Sequence, residues 1–260
     1  MLKTNALLLS TDTLPNYGLD LVFSIAKESG YDGIDLAMWK GFDARDEEYV
    51  QKLAFDYDLP VYVVQTSAKL NQKEMDKALD ICGTTGADTI CINPPKITEF
   101  KVYDFISDNL ATYQKDNPDL NFAIINPLDS KLFALPIPEF RFSNIIDIVK
   151  KYSAYIGMDI TNMDLDTFEE DFMRKIDDYA PYISVLYLSD KNKKGKSHLL
   201  PGEGDLDLVN FLKKLKKSWY ARPVSVKLEF KPQELASRGK LISQLTKVRE
   251  FYEKNFLSDK

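Results

Sequence analysis

The chain has 260 residues, 44% of them hydrophobic and 28% charged, with a formal net charge of −6 at neutral pH. That length suits one large α/β domain or two small ones and is enough to bury a full core. The acidic balance argues against a general nucleic-acid binder.

Two cysteines, Cys82 and Cys91, provide neither a disulfide framework nor metal-ligand spacing. Both are expected to be small buried apolar residues in a reducing compartment. No apolar run reaches the roughly 20 residues of a membrane span. The N-terminal apolar stretch is too short for a signal peptide and has no cleavage pattern. These features predict a cytoplasmic protein with no membrane partner.

In chain order, β-rich runs lie near residues 5–10, 33–37, 60–66, 88–93, 121–126, 155–160, 183–189 and 223–229. Between them apolar spacing turns helical. Leu19, Val22, Phe23 and Ala26 follow i, i+3, i+4, i+7, as do Val50, Leu53, Ala54 and Tyr57. Ile145, Ile148, Val149 and Tyr152 repeat the pattern, and Leu241, Leu245, Val248 and Tyr252 close the chain with it. Asn71 stands three before Glu74, and Asp166 three before Glu169, so both predict capping boxes. Near the end, the only histidine, His198, precedes a Pro-Gly-Glu-Gly turn. Leu208, Phe211, Leu212 and Leu215 then follow at helical spacing.

Eight strand–helix units at this length predict a single (β/α)8 barrel domain over 1–260. A doubly wound sheet is disfavoured, since no Gly-x-Gly-x-x-Gly follows the first strand. Alternation along the strands then separates two faces. Ile34, Leu36, Ile90, Ile92, Ile156, Met158, Leu186, Leu188, Val226 and Leu228 should face the helices. Inward-facing residues end in polar side chains on several strands, namely Asp35, Asn93, Asp159, Ser189 and Glu229. Barrel enzymes place their chemistry at that C-terminal mouth.

Several segments resemble the xylose-isomerase-like TIM barrel superfamily, which includes sugar phosphate isomerases and epimerases and the family 2 AP endonucleases. Gly30-Tyr-Asp-Gly-Ile-Asp-Leu36 is similar to its helix-1-to-strand-2 signature, with Asp35 where glutamate is usual. Gly86-Ala-Asp-Thr-Ile-Cys-Ile-Asn93 resembles its fourth strand, and Gly157-Met-Asp-Ile-Thr-Asn162 its Asp-x-x-His strand. Tyr187-Leu-Ser-Asp190 resembles the His-x-x-Asp strand, His198 through Gly204 the His-x-x-x-Gly-x-Gly loop, and Leu228-Glu229 the final metal-binding glutamate.

The resemblance implies a divalent metal held by a glutamate, an aspartate, a histidine and a second glutamate. Here those positions read Ile125, Asp159, Tyr187 and Glu229. If any metal binds, Asp159 and Glu229 would hold it, and weakly; otherwise there is no cofactor. One histidine cannot build the multi-metal cluster of the endonuclease-type members.

The resemblance further implies a sugar or polyol (phosphate) isomerase or epimerase that moves a proton next to a carbonyl. Glu229 is the expected base, Asp159 a second acid/base or hydroxyl orienter, and Lys227 the cation that replaces the metal. Lys227 lies two residues before Glu229, about 7 Å deeper on the same inward face. His198, Tyr187, Asn93, Asp35 and Asn126 are the expected contacts to a small carbohydrate or polyol. Asp190 is expected to orient the loop, and Lys193, Lys194 and Lys196 to form a solvated charge run. Two alternatives stay open: a metal-free lyase using Lys227 as a Schiff-base nucleophile, and a non-catalytic sugar-binding pseudoenzyme. Self-association into a homo-oligomer is left open as well.

Overall fold

The computed structural model describes residues 2–128 and 137–258. Its strands are β1 (Leu7–Ser10), β2 (Gly33–Ala37), β3 (Val61–Gln65), β4 (Thr89–Ile92), β5 (Asn121–Ile125), β6 (Tyr155–Asp159), β7 (Ile183–Leu188) and β8 (Val224–Val226). Each pairs in parallel with the next, and β1 pairs with β8, so the sheet closes into a barrel with no free edge. The helices around it are α1 (Leu19–Glu28), α2 (Glu47–Asp56), α3 (Gln72–Thr85), α4 (Phe100–Asp116) and α5 (Ile145–Tyr152). They continue with α6 (Ile176–Tyr179), α7 (Leu208–Lys217), α8 (Pro232–Leu235) and α9 (Arg238–Tyr252). Among the described residues no helix is long and apolar enough to cross a membrane.

Strand alternation sorts the apolar residues into two cores. Leu8, Val63, Cys91, Ala123, Ile125, Val185 and Tyr187 fill the barrel interior. The ten residues expected to face outward all lie in the larger core between sheet and helices. Both cysteines are buried and free. Gly157 makes room for this packing: a Cβ there would lie 3.2 Å from Ile125 and 3.6 Å from the Tyr187 ring.

Helix starts follow side-chain chemistry, but neither expected capping box forms. Asn71 caps α3 by accepting from the Glu74 amide at 3.1 Å. Glu74 does not return the bond; its carboxylate accepts from the Ser67 amide at 2.8 Å and pairs with Arg45 at 2.8 Å. Asp166 does not cap anything. The turn begins two residues earlier, where Asp164 accepts from the Thr167 amide at 2.7 Å. Asp166 already has helical backbone angles, so its side chain cannot reach forward to an open amide.

Candidate active site at the barrel mouth

Polar residues at the C-terminal ends of the strands form two linked groups and one deeper layer. The first group centres on β6. Asn126, just past β5, spends both ends of its amide on the β6 backbone: it accepts from the Asp159 N–H at 2.6 Å and donates to the Asp159 carbonyl at 3.0 Å. Asp159 Oδ1 in turn accepts from the amide and hydroxyl of Thr161, at 3.0 and 2.8 Å. Asp159 Oδ2 faces Nε2 of His198 at 4.0 Å. On the other side of the ring, Nδ1 lies 3.3 Å from Thr161 Oγ1 and 3.2 Å from Ser189 Oγ. The imidazole is therefore held at Nδ1 by two hydroxyls while Nε2 faces the carboxylate, with about a fifth of the side chain open to solvent.

The loop that delivers His198 is built by Asp190. This buried carboxylate accepts from the amides of Lys191, Gly202, Gly204 and Leu206, between 2.8 and 3.2 Å. Asp190 and Leu199 add an antiparallel bridge. The orienting role expected for Asp190 fits this geometry. Gly202 takes φ +91°, and a Cβ at Gly204 would sit 2.2 Å from Asp190 Oδ1, so both glycines are dictated by the loop. His198 itself holds a left-handed φ of 55°, strain that its neighbours sustain.

The second group surrounds Lys227. β8 stops at Val226 because the Thr13 hydroxyl donates to the Val226 carbonyl and accepts from the Leu228 amide, at 3.2 and 3.1 Å. Lys227 and Glu229 thus lie beyond the strand. Lys227 still turns inward: its Nζ is 5.8 Å from the centre of the Tyr187 ring and 3.5 Å from Asp12 Oδ2. Its carboxylate partner is Asp12, after β1. Trp39 donates from Nε1 to Asp12 Oδ1 at 3.2 Å. Glu229 is exposed at the rim, where its amide donates to the His198 carbonyl at 2.9 Å. It lines a shallow cleft with Leu228, Phe230 and Lys231.

Asp35 forms the third, deeper layer. β2 continues to Ala37, so Asp35 lies below the rim and is fully buried. Its Oδ2 accepts from Gln65 Nε2 and Ser225 Oγ, both at 2.7 Å. Gln65 also donates to Ser10 Oγ at 3.1 Å. Burial pushes the Asp35 carboxyl up to about 6, against the pull of Ser225, Gln65 and the Lys227 charge. Tyr187 is buried beside this layer with its phenol driven well above its usual range by desolvation. Half-buried Asn93 donates to the Thr66 carbonyl at 3.3 Å.

Sequence reading did not single out Asp12, Thr161 or Gln65 as site residues. Gln65 could have been found by the parity rule applied to the third run. Asp12 and Thr161 follow their strands in short turns, where alternation carries no information.

A family model for the xylose isomerase-like TIM barrel matches residues 23–245, and the chain belongs to that family. The chain is similar to a xylose isomerase domain protein from Alicyclobacillus acidocaldarius (TM-score 0.73, 17% identity, 97% of this chain and 99% of that one). It is also similar to D-allulose 3-epimerase from Methylomonas sp., solved with D-allulose (TM-score 0.70, 13% identity, 98% of each chain). A third similar structure is the IolI protein with a bound zinc atom (TM-score 0.71, 17% identity, 97% of this chain and 100% of that one). These likenesses establish the fold. An uncharacterised Mycobacterium tuberculosis protein is 25% identical over 115 residues, 41% of each chain. This chain therefore spans about two-fifths of the length of that curated relative.

The zinc in one similar structure raises the question of whether these residues could hold a metal. Among the described residues no three His, Cys, Asp or Glu side chains cluster to hold an ion. Asp159 Oδ1 already has two donors, Asn126 is committed to backbone, and Glu229 lies exposed at the rim. The donor set does not fit a tightly held divalent metal, which wants three or more converging protein ligands.

Proposed function

We propose that this protein is a sugar or polyol isomerase or epimerase that moves a proton at a carbon next to a carbonyl. In this reading the positive charge comes from Lys227. The observation that carries it is the doubly held His198 imidazole facing Asp159 at the mouth. A neutral imidazole can take a carbon-bound proton, and the nearby carboxylate stabilises the imidazolium that results. Lys227 stabilises the oxygen on which enolate charge develops. Its ion pair with Asp12 suits that role better than Schiff-base attack, which needs the neutral amine. Glu229, at the rim, would contact the far end of the sugar.

Chelator-treated protein incubated in D2O with ketoses, D-allulose and D-tagatose first, tests the reading. Solvent deuterium should enter the position next to the carbonyl. His198→Asn should slow that exchange by about 10²–10⁴-fold, the range for a lost general acid–base group. Absence of exchange across the panel overturns the activity. Exchange that chelation abolishes and a divalent ion restores overturns the role given to Lys227.

A further inference from the structure

Two acceptor oxygens inside the barrel are left without a donor. Asp35 Oδ1 and Gln65 Oε1 are both buried and both unpartnered. They belong to two planar groups already joined at their other ends, through Gln65 Nε2 donating to Asp35 Oδ2 at 2.7 Å. Each buried acceptor without a partner costs about 1–3 kcal/mol. Reversing the Gln65 amide is no remedy, because it moves an oxygen to within the same 2.7 Å of Oδ2. A single proton resolves both vacancies.

We propose that Asp35 and Gln65 form a carboxylic acid–carboxamide pair that holds one proton inside the barrel at neutral pH, keeping Asp35 uncharged beneath Lys227. The Asp35 hydroxyl donates from Oδ1 to Gln65 Oε1 while Gln65 Nε2 donates back to Oδ2, and Ser225 supplies a further donor to Oδ2. Burial already favours the acid form. The hydrogen bond from Oδ1 exists only in that form and favours it further.

The charged and titratable groups facing Asp35 are few. Lys227 after β8 pulls toward ionisation, and Asp12 after β1 opposes it. Cys91 on β4 and Tyr187 on β7 are neutral, both held above their usual ranges by desolvation. Ser10 and Ser225 contribute hydroxyls only. Asp12 is the one carboxylate within 4 Å of the Lys227 ammonium among the described residues, and a neutral Asp35 adds no second opposing charge at longer range. The Lys227 charge then projects into the mouth instead of being cancelled from below. This deepens the role given to Lys227 above, but its test needs no substrate.

Asp35→Asn is an isostere of the acid form: its NH2 can donate to Gln65 Oε1 while its oxygen accepts from Gln65 and Ser225. We expect the variant to fold, with a melting temperature at pH 7 within about 3 °C of the parent or above it. Difference infrared spectra at pH 7 should show a protonated-carboxyl carbonyl band in the parent that Asp35→Asn removes. Absence of that band in the parent overturns the proposal. So does an Asp35→Asn variant that fails to fold or melts as low as Asp35→Ala. Failure to detect ketose exchange leaves these outcomes unaffected, so the two readings fail separately.

Discussion

His198 and Lys227 are held by different means, and the difference predicts what each substitution does. The imidazole is held by two hydroxyls, from Ser189 and Thr161, and faces the Asp159 carboxylate at 4.0 Å. Truncating one hydroxyl should blur its position without removing it. The ammonium relies on Asp12 alone for opposite charge within 4 Å among the described residues. Lys227→Met keeps the side-chain length and packing over Tyr187 but deletes the charge. If Lys227 stabilises developing enolate charge, the variant should lose about 10²–10³-fold in kcat, as for a lost oxyanion donor, with little change in KM. Steady-state kinetics on an active ketose would check this. A rise in KM alone would assign Lys227 to ground-state binding instead.

Among the elements, the loop from Asp190 to Leu206 decides where the histidine sits. Its geometry depends on one carboxylate accepting from four amides. Gly204→Ala would drive a Cβ to 2.2 Å from Asp190 Oδ1 and 2.7 Å from the Lys191 carbonyl. It should cost about 1–3 kcal/mol in urea unfolding, the range for overpacking, and should slow exchange because His198 moves with the loop. Gly83→Ala is the matched control. It lies within α3 with nothing within 4 Å of the added Cβ, so it should stabilise by about 0.4–1 kcal/mol. Equal effects from the two substitutions would count against the loop argument.

At the scale of the whole molecule, closure ties the chain ends together. Tyr252 on α9 donates to the Asn5 carbonyl at 3.0 Å, and Tyr31 donates to the Leu245 carbonyl at 3.3 Å. Because β1 pairs with β8, losing packing at α9 should be felt around the ring. Leu245→Ala should cost about 2–5 kcal/mol, with urea unfolding remaining a single transition by fluorescence and circular dichroism. Two separated transitions would show that the barrel unfolds in parts.

The pH dependence also belongs to this scale. Burial raises the Asp35 carboxyl from its ordinary 3.8 to about 6, and the hydrogen bond proposed from Oδ1 raises it further, past neutral pH. Its contribution therefore favours the folded state most at low pH and is lost as pH rises through the folded value. The stability advantage of Asp35→Asn over the parent should widen as pH rises from about 4 and level off once Asp35 has ionised. A gap that narrows with pH would mean that Asp35 is stabilised as a carboxylate.

Read from the sequence alone, the succession of strand and helix patterns determined the barrel, and alternation determined the inner face of β2, β4, β5, β6, β7 and β8. Side-chain direction is a local property with a period of two. The resemblance to the family pattern implied that two of its four metal-binding positions had changed, to Ile125 and Tyr187. Only the tertiary structure decided depth and partnership. Asp35 lies below the rim because β2 runs on to Ala37, and Glu229 lies outside because Thr13, 213 residues from Val226, ends β8 early. Asp12 beside Lys227, His198 beside Asp159 and Gln65 beside Asp35 come from separate strand–loop units. They meet because the sheet closes, and local sequence carries no record of which loops that closure brings together.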